Sequence, residues 1–315
     1  MDLSQRLATQ PLLVLDGAAG THLEALGCDL NHPLWTAKIL KEQPEQIVQL
    51  HKDYFAAGAD IGESVSYQAT VEGFVKAGLD EQQAIALLKS SVTHLLTARK
   101  QWWQESGQAS GRRYPLVAAS IGPYGAFLAD GSEYRGDYQI NAQQLHDFHR
   151  HRIEILWQQG VDILAVETIP CLEEAQVIAD IVQAIGAKCW ITFSAKNKTQ
   201  ISNGQSIVEC VQTLEHYDCI QAIGINCTAP EIITSLLGEI KNHTSKALIA
   251  YGNLGDHYDP DTKTWQQCQH SKPYQEHIAQ WQALGVRIVG GCCGTTPATI
   301  KSIATQYGQD EKSLP

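Results

Sequence analysis

The chain has 315 residues, of which 43% are hydrophobic and 18% charged, a composition typical of globular proteins and unlike that of disordered chains. Acidic residues outnumber basic ones by 34 to 23, and the net charge of −11 argues against binding to nucleic acid or to anionic membranes. The beginning of the chain lacks the apolar run of a signal peptide, and no segment reaches the roughly 20 apolar residues of a membrane span, so we predict a cytoplasmic protein.

Short apolar segments recur along the chain, and each is followed by a loop and then by a segment with helical periodicity. This alternation predicts parallel βα units. The predicted strands cover 12–16, 60–64, 116–121, 163–167, 189–194, 222–227, 247–251 and 287–291. Eight such units predict one (β/α)8 barrel of the TIM type, formed as a single domain by residues 1–315.

Two connections are longer than a barrel requires, and both follow predicted strands. They cover 122–141 and 252–274. Active sites of α/β barrels lie at the carboxyl-terminal rim of the strands, so we expect both connections to line a substrate site. The polar segment 101–114 precedes a strand and is predicted to be an exposed connection at the opposite end.

Cysteines at two predicted strand ends point to metal chemistry. Cys292 and Cys293 lie between glycines in the segment 290–294, and Cys227 ends the strand 222–227. Neighbouring residues of a regular strand face opposite sides, but glycines on both sides permit backbone angles that let both sulfurs turn towards the rim. Three converging thiolates with one open position are the ligand set expected of a catalytic zinc site.

Other interpretations of the cysteines stay open at this point. The vicinal pair and Cys227 are also compatible with unrelated buried thiols, the commonest state of free cysteine. Cys268 and His270 are alternative metal ligands, although their loop contains no matching second pair.

The sequence closely resembles the homocysteine S-methyltransferase family over nearly its whole length. The motifs that carry the resemblance are Leu-Asp-Gly-Ala at 15–18, Ser-Tyr-Gln-Ala-Thr at 66–70, Gly-Pro-Tyr-Gly-Ala at 122–126, Glu-Thr at 167–168, Gly-Ile-Asn-Cys at 224–227 and Gly-Gly-Cys-Cys-Gly at 290–294. The resemblance implies methyl transfer to homocysteine from S-methylmethionine, and less well from S-adenosylmethionine.

The resemblance also implies roles for individual residues. Cys227, Cys292 and Cys293 match the family's zinc ligands. Asp16 and Glu167 match positions that hold the substrate ammonium group, and Ser64 is a weaker polar match. Betaine-using relatives carry a tyrosine where this chain has Thr168, and this departure disfavours betaine as the donor.

Elementary chemistry supports an amino-acid substrate and a cationic donor. An ammonium group needs anions such as Asp16 and Glu167, and a carboxylate needs donors, which the amides of Gly17 and Ala18 can supply. Aspartate before glycine is also common in turns, which gives Asp16 a purely structural interpretation.

The expected reaction is a direct displacement by the substrate thiol. Zinc would keep that thiol ionised, and a sulfonium donor leaves as a neutral thioether, so no general acid is required. Aromatic faces and carboxylates favour a sulfonium charge. The loop 122–141 supplies both, and its possible donor-binding residues are Tyr124, Phe127, Asp130 and Tyr134.

Rival functions follow from the same residues. One is a noncatalytic zinc-binding or thiol-sensing barrel, and another is a lyase or hydrolase that uses Asp16 and Glu167 as acid and base. The segment from Asp147 to His149 begins like a cobalamin-binding pattern, but Arg152 stands where that pattern requires glycine.

Overall fold

The computed structural model describes residues 1–30, 36–254, 257–259, 264–266 and 273–308. Most of the predicted wall 252–274, including Cys268 and His270, lies outside these residues. The strands are β1 Leu13–Val14, β2 Ile61–Glu63, β3 Leu116–Ile121, β4 Ile163–Ile169, β5 Cys189–Phe193, β6 Ile220–Asn226, β7 Ala247–Gly252, β8 His257–Asp259, β9 Thr264–Gln266 and β10 Val286–Gly291.

The helices alternate with these strands. They are α1 Leu3–Thr9, α2 Ala19–Ala25, α3 Thr36–Glu42, α4 Pro44–Ala57, α5 Val71–Lys76, α6 Glu81–Trp102, α7 Tyr124–Leu128, α8 Ala142–Trp157, α9 Leu172–Ala184, α10 Ile207–Leu214, α11 Pro230–Ile240, α12 Tyr274–Ala283 and α13 Pro297–Tyr307. Within the described ranges, none of them combines the length and the apolar composition that crossing a bilayer requires.

Eight parallel strands form a nearly closed barrel. Their order around the sheet is β1-β10-β7-β6-β5-β4-β3-β2. A parallel bridge between Leu15 and Ile61 joins β1 to β2 and closes the circle. Strands β8 and β9 form a separate antiparallel hairpin after β7. The predicted (β/α)8 barrel is therefore confirmed.

The barrel interior changes from apolar to polar along each strand. Alternate strand residues face inwards, and near the amino ends these are apolar, among them Ile163 and Ala165 on β4. Two residues further along β4 the buried side chain is Glu167. Helix α1 packs Leu3 against the apolar end. The polar groups are thereby concentrated at the carboxyl-terminal rim.

The prediction for 101–114 is partly wrong. Helix α6 continues to Trp102 and is followed by a π-helical turn, Trp103–Gly107. The indole of Trp102 is buried against Phe55, so this end of the segment belongs to the hydrophobic packing between helices. Tyr114, at the other end of the segment, is exposed.

Gly224 lies where β6 approaches the backbone of β7 most closely. A methyl group added there would overlap the carbonyl oxygen of Ile249. We therefore expect Gly224→Ala to lower the free energy of unfolding by about 1–3 kcal/mol or more, because the neighbouring strand backbone cannot move aside freely. The midpoint of urea unfolding measures this change.

Gly238 provides the matched control. It lies in α11, and a methyl group added there meets no atom within 4 Å. Gly238→Ala is expected to raise the free energy of unfolding by about 0.5–1 kcal/mol, since alanine is the better helix former. Equal midpoints for the two variants would contradict the close approach of β6 and β7.

Candidate active site

The structure brings three cysteine sulfurs together at the carboxyl-terminal rim. Cys227 follows β6, and Cys292 and Cys293 follow β10. The three Sγ atoms lie within 4.8 Å of one another, and those of Cys227 and Cys293 are 3.7 Å apart. The cluster is accessible from the rim, because Cys292 and Cys293 are partly exposed while Cys227 is buried.

Backbone turns at both strand ends allow this convergence. Cys227 itself adopts a left-handed conformation, with φ 46°, and its amide donates to the carbonyl of Tyr251. After β10 the left-handed residue is Gly294, with φ 81°. The glycine before the pair does not adopt a left-handed turn. Gly291 avoids the left-handed region and is required for space, because an added methyl group would overlap Thr295.

The three thiols share charge and hydrogen bonds. Hydrogen bonds from Cys292 and Cys293 lower the pKa of Cys227 well below its usual range, and Tyr134 and Asn253 contribute in the same direction. Donation to Cys227, together with burial, raises the pKa of the Cys292 and Cys293 thiols. A first thiolate therefore forms readily at Cys227.

The spacing suits zinc. Thiolates about 2.3 Å from a tetrahedral zinc ion are about 3.8 Å apart, close to the separation of Cys227 and Cys293. Thiolate ligands also favour zinc over magnesium or calcium. A three-ligand set leaves one coordination position for another group.

Three carboxyl groups lie at the same rim, after β1 and on β2 and β4: Asp16 and Glu167 are buried, and Glu63 is half-buried. Asp16, Glu63 and Glu167 are all close enough to interact electrostatically, and burial followed by mutual repulsion raises the pKa of Glu63 well above its usual range. Burial likewise raises the pKa of Asp16, and it raises that of Glu167 to about 7. Within the described residues none of the three forms a salt bridge. The mouth thus has an excess of acidic groups.

Asn226 organises the strand end that carries Glu167. Strand β4 has an irregularity in register between Val166 and Ile169, and Thr168 within it has φ 60°. The side chain of Asn226 accepts from the Thr168 amide at 2.8 Å and donates to the Thr168 hydroxyl at 2.8 Å and to Glu167 at 3.4 Å. These bonds hold the irregular turn and orient the carboxylate.

Ser120 and Ser64 complete the surroundings of Glu167. The hydroxyl of Ser120 donates to one carboxylate oxygen of Glu167. Ser64 accepts from the Ser120 amide at 3.2 Å and exchanges a hydrogen bond with Ser66 at 2.6 Å. Ser64 therefore supports the strand ends behind the carboxylate.

The backbone amides of Gly17 and Ala18 differ in whether they already donate a hydrogen bond within the protein. The amide of Ala18 donates to the hydroxyl of Thr295 at 3.1 Å, and that hydroxyl donates to the carbonyl of Cys292 at 2.6 Å. Among the described residues, the amide of Gly17 has no such partner. Gly17 is thus the available donor for a substrate carboxylate.

The loop after β3 contributes residues to two different places. Tyr134 reaches the cysteine cluster, with its hydroxyl 3.1 Å from the sulfur of Cys227. The rings of Tyr124 and Phe127 pack against Phe148 of α8. Asp130 is exposed. The four predicted loop residues are therefore divided between the site, an aromatic cluster and the surface.

A buried network attaches this loop to the helices behind it. Glu174 of α9 accepts from the Tyr124 amide at 2.6 Å, from Tyr138 and from His149 at 2.8 Å. Arg152 donates to the carbonyl of Gly122 and lies 3.0 Å from the other ring nitrogen of His149. The sequence pattern did not predict this role of Glu174. An acidic residue in the first turn of a helix gave the only local signal, and it indicates helix capping.

The whole chain was also compared with known proteins. The family model described as homocysteine S-methyltransferase matches residues 13–307. The homocysteine S-methyltransferase YbgG of Bacillus subtilis is 48% identical over 95% of this chain and 95% of its own length. The homocysteine S-methyltransferase of Escherichia coli is 44% identical over 94% of this chain and 96% of its own length.

Solved structures give the same result. The metallated form of the homocysteine methyltransferase MmuM from Escherichia coli superposes with a TM-score of 0.87 at 41% identity, covering 96% of this chain and 99% of that one. Both the sequence match and the barrel extend over almost the full length of these relatives. The chain therefore belongs to the homocysteine S-methyltransferase family.

Proposed function

We propose that this homocysteine S-methyltransferase uses zinc, bound by Cys227, Cys292 and Cys293, to transfer a methyl group from S-methylmethionine to homocysteine. The observation that carries the proposal is the convergence of three Sγ atoms within 4.8 Å at the barrel rim. We further propose that residues 1–315 act together as one homocysteine-binding domain.

Zinc at the three thiolates would act as a Lewis acid that keeps the homocysteine thiol ionised near neutral pH. The protein's part is to hold the ligands. The left-handed turn at Cys227 and the tight turn after β10 orient the three sulfurs towards one point. Such preorganisation lowers the cost of assembling the site.

The acidic rim would bind the homocysteine backbone. Glu167, fixed by Ser120 and Asn226, and Asp16 are the proposed partners of its ammonium group. Glu63 adds charge to the same region. The free amide of Gly17 is the proposed donor to the carboxylate, whereas the Ala18 amide would first have to leave Thr295.

The proposed reaction is a direct methyl transfer between two sulfurs. The thiolate of homocysteine supplies the electron pair of the new carbon–sulfur bond, while the carbon–sulfur bond of the donor breaks and its electron pair stays on the donor sulfur. The donor thus leaves as neutral methionine, and the acceptor becomes methionine as well. Tyr134 borders the donor side through its contact with Cys227.

Removing a proposed ligand is expected to remove the metal. Cys227→Ser, Cys292→Ser and Cys293→Ser should each lower zinc content from about one ion per chain and abolish most activity, because structural and catalytic zinc sites need their full thiolate set. Elemental analysis of purified variants measures the metal. Cys28→Ser is the control, since the Cys28 thiol contacts Gln43 and lies apart from the cluster.

This experiment also separates the rival functions. A lyase or hydrolase that relies on Asp16 and Glu167 would keep its activity without the cysteines. A noncatalytic zinc protein would bind the metal without turning over homocysteine. Full zinc occupancy after loss of Cys292 or Cys293 would contradict the assignment.

Glu167→Gln is expected to raise the KM for homocysteine about 10- to 100-fold, because a charge-assisted hydrogen bond to the ammonium group would be lost. Zinc content should stay unchanged, since the thiolates are untouched. Steady-state kinetics and elemental analysis on the same preparation test both points. Glu173→Gln removes the same charge from an exposed position of α9 and serves as the control. Unaltered homocysteine kinetics in Glu167→Gln would remove its proposed role.

The donor preference is expected to be S-methylmethionine first, S-adenosylmethionine second and betaine last. S-methylmethionine carries its sulfonium on a compact skeleton, adenosine requires more room, and Thr168 stands where betaine-using relatives carry a tyrosine. Methionine formation with each donor at equal concentration measures the ranking. A clear preference for betaine would overturn the donor assignment and leave the proposed zinc site in place.

A further inference from the structure

Glu133 lies beside the cysteine cluster but has no role in the proposed site so far. It belongs to a short 3₁₀ turn, Ser132–Tyr134, whose last residue places its hydroxyl 3.1 Å from the sulfur of Cys227. The turn is held firmly. The carbonyl of Glu133 accepts from Ser194 at 3.0 Å, and the backbone around Glu133 packs so closely on Gly125 that an added methyl group there would overlap it.

One oxygen of the Glu133 carboxyl group lacks a hydrogen-bond partner, although the group as a whole interacts with its own backbone amide and with Arg135. Its Oε2 atom is buried and forms no hydrogen bond within the described residues. Burial raises the pKa of this carboxyl group to about 7, and the nearby thiolate of Cys227 acts in the same direction. A buried acceptor without a partner costs free energy, so a ligand that supplied a positive charge would be favoured here.

Two tyrosines lie near the same position. The charge of Glu133 acts on the side chains of both Tyr67 and Tyr134. Neutral aromatic rings attract organic cations, and a carboxylate beside them strengthens that attraction.

The other acidic residues of the loop are less suited to this task. Asp130 and Asp137 are exposed, and both lie near Arg135, at 3.9 Å and 3.3 Å. Exposure to solvent and the nearby guanidinium group stabilise the charges of both carboxylates. Glu133 is the carboxylate of the loop that combines burial, a free oxygen atom and proximity to Cys227.

We propose that Glu133 binds the positive charge of the methyl donor, with Tyr67 and Tyr134 beside it, and places the donor next to the thiol site. The inference rests on the proposed function, and it names the donor subsite within it. It also refines the sequence expectation, which included Asp130 among the donor residues.

The donor loses its positive charge during the reaction. This change predicts whether loss of the Glu133 carboxylate alters the KM for the donor or kcat. The donor carries its positive charge when it binds and loses it as the methyl group departs. A carboxylate next to that charge therefore stabilises the bound donor at least as much as the transition state. Loss of the carboxylate should act mainly on the KM for the donor and little on kcat.

The test compares Glu133→Gln with wild type at saturating homocysteine, using whichever of S-methylmethionine, S-adenosylmethionine and betaine the wild type turns over fastest. All three carry an onium charge. We expect the KM for the donor to rise about 10- to 100-fold, which corresponds to the loss of one charge-assisted contact. The kcat of the variant should stay within about threefold of the wild-type value. Zinc content and the KM for homocysteine should not change.

Two further variants make the result specific. Asp137→Asn removes one negative charge from the exposed part of the same loop and should leave the donor KM unchanged. Glu133→Asp keeps the charge but shortens the side chain, so we expect an intermediate KM, and it provides the comparison if Glu133→Gln is insoluble. Calorimetric titration of the same donor into each metal-loaded variant should reproduce the order of affinities.

The remaining outcomes would contradict either the inference about Glu133 or the proposed function. An unchanged donor KM in both Glu133 variants would overturn the inference and leave the proposed function standing. Loss of zinc from Glu133→Gln would identify Glu133 as part of the metal site and overturn the donor role. Failure of the wild type to use any of the three donors would overturn the proposed function itself.

Discussion

The mouth of the barrel concentrates acidic groups that repel one another. Three thiols lie within 4.8 Å, and the carboxyl groups of Asp16, Glu63 and Glu167 lie at the same rim. Burial without compensating cations is unfavourable for ionised groups, which is why the carboxyl pKa values rise. The arrangement is stabilised when cations bind. A metal ion, the ammonium group of an amino acid and an onium donor are the three cations that the proposed reaction requires.

The fold places these acidic groups where the parallel strands end, and not in the apolar core of the barrel. The lower barrel interior is apolar and packed, so the polar groups lie in one layer at the rim and not throughout the core. Two of the three described non-glycine residues with positive φ lie in that layer, and the third, Ala129, ends helix α7. Thr168 and Cys227 both have positive φ, which costs roughly 1–2 kcal/mol each and requires support from neighbours such as Asn226.

The proposed donor site depends on the loop after β3, which is bonded to helices α8 and α9. Glu174 and His149, both fully buried, hold the beginning of this loop on helices α8 and α9. Burial lowers the pKa of His149, so the ring stays neutral while it bridges Glu174 and Arg152. This network holds the loop on the side of α8 and α9, and Tyr134 of the same loop contacts Cys227. The proposed metal site and the proposed donor site are thereby connected through one loop.

The strand pattern and the strand-end cysteines were readable from the sequence, since apolar runs of strand length and helical periodicity are local, and parallel strands bring their carboxyl ends to one rim. The eight predicted strands, and the meeting of Cys227 with Cys292 and Cys293, follow from that rule. The positions of Glu133 and Asn226 did not follow, because they depend on contacts with residues distant in the chain. Whether an amide or carboxyl group is free or already bonded, as for Gly17 against Ala18, is decided only when the tertiary structure brings its neighbours into place.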